Sequence, residues 1–180
     1  KPNTTIVGTS WKYEDEFFMN IPIRNPVLFE LVALPRKLDI LLGNIEKWHC
    51  NNCEKVPVDP AICLICGTLV CSQSRCCSSF STNKGECNIH ADLCGGGTGM
   101  FFLIKKCVLL VLFDGRGHFL NSPYLDLHGE VDPGLRRGKP QFLNGQRYDE
   151  IKVMWVKHQI PSYIARKVDQ GPLTAGWGTL

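Results

Sequence analysis

The sequence predicts an α+β domain: a small, metal-stabilised cysteine block leading into an antiparallel meander sheet, with helices on its flanks. Three observations predict it. Nine of the ten cysteines fall between Cys50 and Cys94, several of them in pairs. Two apolar runs, 100–104 and 107–113, precede the hairpin signal Asp114-Gly115. Apolar residues recur at helical spacing before the cysteine block and again near the C-terminal end.

Composition narrows the class. With 44% hydrophobic and 21% charged residues and a net charge of +3 over 180 residues, the chain is neither disordered, collagen-like nor a coiled-coil rod. The length suits one domain, or a compact domain with an extension. No apolar run reaches the ~20 residues a membrane helix needs, and Lys105-Lys106 interrupts the best one, so no membrane partner is expected. The mild basic balance does not point to nucleic acid. The opening residues KPNTTIVG lack the pattern of a signal peptide, and a start at Lys1 suggests part of a longer protein.

Residues 1–33 read as a lead-in segment, broken by Pro22 and Pro26, with a strand expected where Val27, Leu28, Phe29, Leu31 and Val32 follow one another. The domain proper is placed at 34–168. Leu34-Pro35 opens a short helix carrying Leu38, Leu41, Leu42 and Ile45 on one side. The cysteine block spans 48–95 and shows little apolar periodicity. Metal would therefore supply much of its stability, on the order of 10 kcal/mol per structural site.

The glycines of Gly95-Gly96-Gly97-Thr98-Gly99 lead into a strand-like MFFLI, not into Lys-Ser/Thr and a helix. They read as a tight joint with positive φ angles, not as a phosphate loop. A meander at 99–121 follows, with Cys107 inside its second strand as an inert core thiol. Residues 123–143 mix Asp126, Glu130 and Asp132 with Arg136, Arg137 and Lys139 among prolines and glycines, and read as a mutually paired or solvated surface. The other reading of this loop is an ordered one docked on a partner domain. Asn144 is an N-cap candidate for a helix with Tyr148, Ile151, Trp155 and His158 on one face, where His158 is expected to be a core histidine. Pro161 opens another helical turn through Ile164, Ala165 and Val168, and 169–180 form a tail.

The chemistry lies in the cysteines. Cys50-Asn-Asn-Cys53 and Cys63-Leu-Ile-Cys66 are C-x2-C pairs, a spacing that lets two thiolates of one turn reach one Zn2+ at ~2.3 Å. Cys71, Cys76, Cys77, Cys87, His90 and Cys94 complete the pool. Two tetrahedral sites would use eight of these ten groups, so about two structural zinc ions with spare thiols is the simplest arithmetic. Clustering of this kind belongs to metal in a reducing compartment, not to a disulfide framework. Catalytic zinc patterns fail. His90-Ala-Asp92 follows the cysteines instead of preceding them as a deaminase requires, H-E-x-x-H is absent, and no RING core of C-x-H-x2-C is present.

The run Cys63-Leu-Ile-Cys66-Gly67-Thr-Leu-Val-Cys71, then Cys76-Cys77, then Cys87-x2-His90-Ala-x2-Cys94-Gly-Gly-Gly-Thr-Gly-x-Phe-Phe-Leu-Ile, resembles the C-terminal domain of the UBR-type N-recognins, large E3 ubiquitin ligases that read destabilising N-terminal residues. Pro123-Tyr-Leu-Asp126-x-His-Gly129-Glu130-x-Asp132-x-Gly-Leu-Arg136-Arg137-Gly138-Lys139-Pro140, Arg147-Tyr148 and Trp155-x2-His158 are similar to the same domain. The resemblance covers about residues 30–168. It implies a zinc-binding terminal module of a cytoplasmic or nuclear ligase of the N-degron pathway. The module would be non-catalytic, with the RING, the conjugating-enzyme contact and the degron box upstream. Implied partners are the upstream domains of the same ligase and, through the parent protein, a ubiquitin-conjugating enzyme, ubiquitin and N-degron substrates, with no nucleic acid and no membrane.

The order of ligands is also similar to the ubiquitin-protease-type zinc finger. Carried over, one site would hold Cys50, Cys53, Cys71 and His90. The other would hold Cys63, Cys66 and Cys94, completed by Cys77 or Cys87 because Gly99 stands where that finger has His. The competing local assignment joins Cys63 and Cys66 to Cys87 and His90, and the sequence leaves both open. That finger type captures a ubiquitin C-terminus through an Arg just after the Cys71 position. Here Ser72-Gln73-Ser74-Arg75 follows, a poor match. Two further functions compete with a docking module. One is a direct receptor for a degron, peptide terminus or ubiquitin C-terminus, using Asp126, Glu130 and Asp132 on an α-amino group. The other is a nucleic-acid-binding ribbon using Lys105, Lys106, Arg136, Arg137 and Lys139, which no aromatic residues accompany for base stacking.

Overall fold

The computed structural model describes residues 30–72, 75–77 and 84–169. It is an α+β fold built on a five-stranded antiparallel sheet. The strands are β1 (Pro60–Cys63), β2 (Leu69–Cys71), β3 (Thr98–Leu103), β4 (Val108–Phe113) and β5 (Arg116–Asn121), in the order β2-β1-β3-β4-β5. The anticipated three-strand meander is present as β3-β4-β5, with Phe101 opposite Leu110 and Leu110 opposite Phe119. Two more strands come from inside the cysteine block and add to the edge of β3, Cys63 opposite Phe101. The block is thus not a shell without a core: Ala61, Ile62, Cys63, Leu64 and Val70 all belong to the main apolar cluster.

Among the described residues four α-helices pack with the sheet: α1 (Leu38–Asn44), α2 (Glu86–Gly95), α3 (Gly145–Val156) and α4 (Ile160–Asp169). Residues paired across antiparallel strands share a face. His90 of α2 meets Phe101 edge-on at 5.9 Å, whereas His118, one pair further along the register, meets Tyr163 of α4 at 5.6 Å. Helices therefore cover opposite faces, and β3 and β4 are buried on both. This explains why they read as continuous apolar runs without alternation.

Several expectations are corrected. Of the lead-in strand, Val27, Leu28 and Phe29 lie outside the described residues, and Leu31 and Val32 are not in a strand. The Val32 amide donates to the Leu64 carbonyl at 2.8 Å and its own carbonyl accepts from the Tyr148 hydroxyl, so this segment is held by single bonds to a turn and to a side chain rather than by a ladder. The first helix starts at Leu38, not Leu34. Residues 36–37 are held extended against Phe142 and Leu143 of β7 (Phe142–Leu143), which also pairs with β6 (Tyr124–Leu125). Cys107 is not within a strand but in the turn before β4, at φ +48°. It is fully buried, with its Sγ 3.2 Å from the Ser122 hydroxyl.

The Asn144 side chain caps α3 by accepting from the Arg147 amide at 2.9 Å, and Tyr148 and Ile151 are buried. His158 is exposed, not a core residue. α3 ends at Val156, and His158 reverses the chain at φ +50° into α4. Pro161 sits in the first turn of α4, where no amide donor is needed, and Ile160 and Ile164 fill the core below it. Among the described residues no helix is long and apolar enough to cross a membrane. The expected tail lies outside the described residues, apart from the end of α4.

The loop 126–139 is ordered. Asp126 and Asp132 are buried. Asp126 accepts from the amides of His128 and Glu130, both at 2.9 Å, and Asp132 from those of Arg136 and Arg137 at 3.1 and 3.0 Å. The Arg137 guanidinium closes the loop against Asp126, Glu130 and Asp132. The Glu130 and His128 amides, with Lys139 nearby, hold the Asp126 carboxyl below the usual carboxylate range. The charges are paired within the loop itself, and the Gly134 amide anchors it to the Lys106 carbonyl at 2.7 Å.

Candidate metal centres

Two turns of the same design present the C-x2-C pairs. The Gly67 amide donates to the Cys63 carbonyl, and the Glu54 amide to the Cys50 carbonyl, both at 2.8 Å. The residue after the second cysteine is left-handed in each, Gly67 at φ +82° and Glu54 at φ +55°. Glycine adopts that conformation freely, and glutamate does so at a cost.

Strand pairing and one helix bring the remaining ligands to these turns. β2 carries Cys71, with Pro60 of β1 as its neighbour, and a single 3-10 turn, Arg75–Cys77, carries Cys77. Helix α2 carries His90 and Cys94 at i and i+4, one above the other on the same side. The result is two quartets, Cys50, Cys53, Cys71 and Cys77 in the first, and Cys63, Cys66, His90 and Cys94 in the second. Within each, the donor atoms all lie within 4.8 Å of one another.

In the first quartet, Cys50 and Cys77 sulfurs are 3.7 Å apart and those of Cys53 and Cys71 3.8 Å. A tetrahedron with ligands ~2.3 Å from its centre has edges of about 3.8 Å, so the sulfurs stand where a four-coordinate ion would place them. In the second, Cys66 Sγ is 3.2 Å from His90 Nε2, and the Thr68 hydroxyl lies 3.1 Å from the same sulfur, placed to donate to a thiolate. Four sulfurs in one set, and three sulfurs with an imidazole nitrogen in the other, both fit a soft divalent ion.

The electrostatics fit ligands under mutual pressure. Burial pushes the Cys50 thiol up, but the amides of Cys53, Asn52 and Cys71 outweigh this and bring it down to about 7. Hydrogen bonds from Cys63, Cys94, His90 and Thr68 hold Cys66 far below an ordinary thiol. Burial and the neighbouring sulfurs hold Cys71 and Cys77 above it. Burial alone would lower His90, but the sulfurs of Cys66 and Cys94 raise it to about 9. A cation centred among each set would relieve that competition by holding every thiol as thiolate.

Of the nine expected ligands, the structure gathers eight. Cys87 stays outside both quartets: three residues before His90 on α2, it faces the core, where burial and then Glu86 push its thiol up to about 12. Both partitions drawn from sequence are revised. His90 joins Cys63 and Cys66 instead of Cys50 and Cys53, and Cys94 rather than Cys87 completes that set. The missed feature is α2 itself. Cys87-x2-His90 reads equally well as a metal turn, and the helix lacks a side-chain N-cap and a clear apolar stripe. The signals that reveal it are the His90-x3-Cys94 spacing and the left-handed Gly96 at its C-terminus. The quartets are tied together by Asn52, in the first turn, donating at 3.0 Å to Glu86 at the start of α2.

A small α+β domain with two closed thiolate-rich quartets is the class that fold and site define. The family model described as Proteolysis_6 C-terminal matches residues 5–157, and the chain belongs to that family, the C-terminal domain of UBR-family E3 ubiquitin ligases. It is 47% identical over 156 residues to the E3 ubiquitin-protein ligase ubr1 of Schizosaccharomyces pombe, covering 86% of this chain and 8% of that relative. It is 41% identical over 128 residues to human E3 ubiquitin-protein ligase UBR3, covering 71% and 7%. It is 36% identical over 151 residues to human E3 ubiquitin-protein ligase UBR1, covering 82% and 9%. The chain thus spans under a tenth of the length of these relatives.

Proposed function

We propose that this chain is the C-terminal structural and interaction module of an E3 ubiquitin ligase of the N-degron pathway. Each quartet holds one zinc ion, and the module supports ubiquitylation by docking on other domains of the same ligase. The observation that carries this reading is the closed donor set: four protein ligands at each site leave no position for a water or substrate, as in structural rather than catalytic zinc. Family membership supplies the ligase context. The conjugating enzyme, ubiquitin and degron substrates are reached through the parent protein, in the reducing cytoplasm and the nucleus. Leu127 at 82% exposed, with Val153 and Val156 on the outer side of α3, offers apolar contact to neighbouring domains.

The receptor reading is weakened by the acidic loop, because Asp126 and Asp132 commit their oxygens to their own backbone and to Arg137. The test is native mass spectrometry of the purified 180-residue chain, together with single-turnover discharge of a ubiquitin-loaded conjugating enzyme. The expected result is two zinc ions per chain and no discharge by the chain alone. Discharge, or a folded chain without zinc, overturns the reading.

A further inference from the structure

Glu86 opens α2, and it is buried. A buried carboxyl is costly unless it is hydrogen-bonded. Among the described residues its partner is the Asn52 side-chain amide, which donates to Oε2 at 3.0 Å. Asn52 lies between Cys50 and Cys53, in the turn that presents those two sulfurs to the first quartet. Glu86 lies four residues before His90 and eight before Cys94, so all three stand on one side of the helix. We propose that the Asn52–Glu86 hydrogen bond couples the two metal centres. Closing the Cys50 quartet on its ion fixes the turn that carries Asn52. Asn52 then fixes the start of α2, and His90 and Cys94 are thereby aimed at Cys63 and Cys66. The inference rests on the metal reading above and goes beyond it, because independent binding at the two quartets would satisfy that reading equally well.

The local structure shows why one bond has this leverage. Cys87 and Ala91 seat α2 on the main core, and Gly85 gives its first turn no side-chain cap. Apolar contact is non-directional, so it sets how close the helix lies and not how it is turned. A hydrogen bond is directional. Held at Glu86, the helix has its rotation fixed one turn before His90, whose Nε2 must meet the Cys66 sulfur 3.2 Å away.

The other end of the bond is at the surface. Asn52 is exposed. Its turn is closed by the Glu54 amide on the Cys50 carbonyl at 2.8 Å and by the Cys50 amide on the Lys55 carbonyl at 2.9 Å. A short exposed turn of this kind belongs to the low-stability end of a protein, and joining Cys50 and Cys53 through one ion restricts it.

Coupling of this kind is reciprocal: filling either centre raises the affinity of the other by the same factor. One hydrogen bond to a carboxylate supports a factor of about five. The β1-β2 hairpin also joins the centres, since Cys63 ends β1 and Cys71 ends β2. The experiment separates that route from the side-chain one.

The 180-residue chain is used throughout. Its zinc content by native mass spectrometry comes first and decides the metal reading on its own. Fewer than two ions overturns that reading and this inference with it. Zinc is then replaced by cobalt(II), whose visible absorption distinguishes four sulfurs from three sulfurs and a nitrogen. Each centre is titrated against a chelator in the native chain, in Asn52→Ala, in Cys71→Ser with Cys77→Ser, and in the three combined. With the first centre loaded, Asn52→Ala should weaken cobalt binding at the Cys63 quartet by about fivefold. With the first centre disabled by the serines, it should have no effect. A merely structural role for Asn52 would weaken the second centre equally in both backgrounds. A further readout needs no disabled centre. Glu86→Ala, on α2, should weaken the Cys50 quartet by the same factor, and Glu86→Gln, which keeps an acceptor oxygen, should restore most of it. Equal affinity of the second centre in the native chain and Asn52→Ala, an equal loss in both backgrounds, or a first centre indifferent to Glu86→Ala overturns the proposal while leaving the metal reading in place.

Discussion

At the scale of single residues, the two metal turns differ at one position. Gly67 and Glu54 occupy the same left-handed place after the second cysteine, and only one of them is glycine. A non-glycine residue there costs roughly 1–2 kcal/mol, partly offset by the greater freedom glycine gives the unfolded chain. Glu54→Gly is therefore expected to stabilise the zinc-loaded chain by about 0.5–1 kcal/mol, read as a raised midpoint in a thermal melt. Asp126 gives a prediction with a defined sign in pH. Its folded carboxyl is held below its unfolded value by backbone amides, so its contribution is complete above the ordinary carboxylate range and is lost as pH falls through the lowered folded value. The difference in melting temperature between the native chain and Asp126→Asn should be widest near neutrality and shrink below about pH 4. A difference that grows on acidification would contradict the assignment.

Among elements, the contact that positions the second metal centre is that of α2 on β3. A Cβ added to Gly99 would stand 2.6 Å from the Phe101 ring and 2.9 Å from the Ala91 side chain on α2. Gly99→Ala must push the helix outward, at about 1–3 kcal/mol, and His90 and Cys94 move with it. Chelator competition should then show weaker metal binding at the Cys63 quartet, with the Cys50 quartet little changed. The same contact marks the limit of what the sequence discloses. The meander, the hairpin at Asp114-Gly115, the Asn144 cap and the helix opened by Pro161 are local patterns, and each is legible in a short window. The ligand partition is not local. It depends on β1 and β2 joining the sheet edge and on α2 turning His90 toward Cys66, and Cys87, His90 and Cys94 have the same chemical fitness until the helix chooses two of them. Asp126 and Asp132 are likewise indistinguishable from solvated charges until the loop closes on Arg137.

For the whole molecule, the two centres are unequal. The Cys63 quartet is part of the main core, whereas Cys50, Cys71 and Cys77 form a small separate cluster with Cys53 beside it. Graded chelation should remove the ion of the outlying cluster first, leaving amide-exchange protection in β3, β4 and β5 intact. Loss of the second ion should then open α2 and β1. Simultaneous loss of both ions with the whole sheet would show that the chain behaves as one cooperative unit instead.

Along the direction of synthesis, the sheet order has a further consequence. β1 sits between β2 and β3, so its inner edge waits for a strand that begins at Thr98. The Cys50 quartet has all its donors once residue 77 has emerged, and the second once residue 94 has. On the zinc reading proposed above, a nascent chain would meet its ions while one side of β1 is still bare, and a clasp at Cys50–Cys77 would shield that half-built hairpin until the meander arrives.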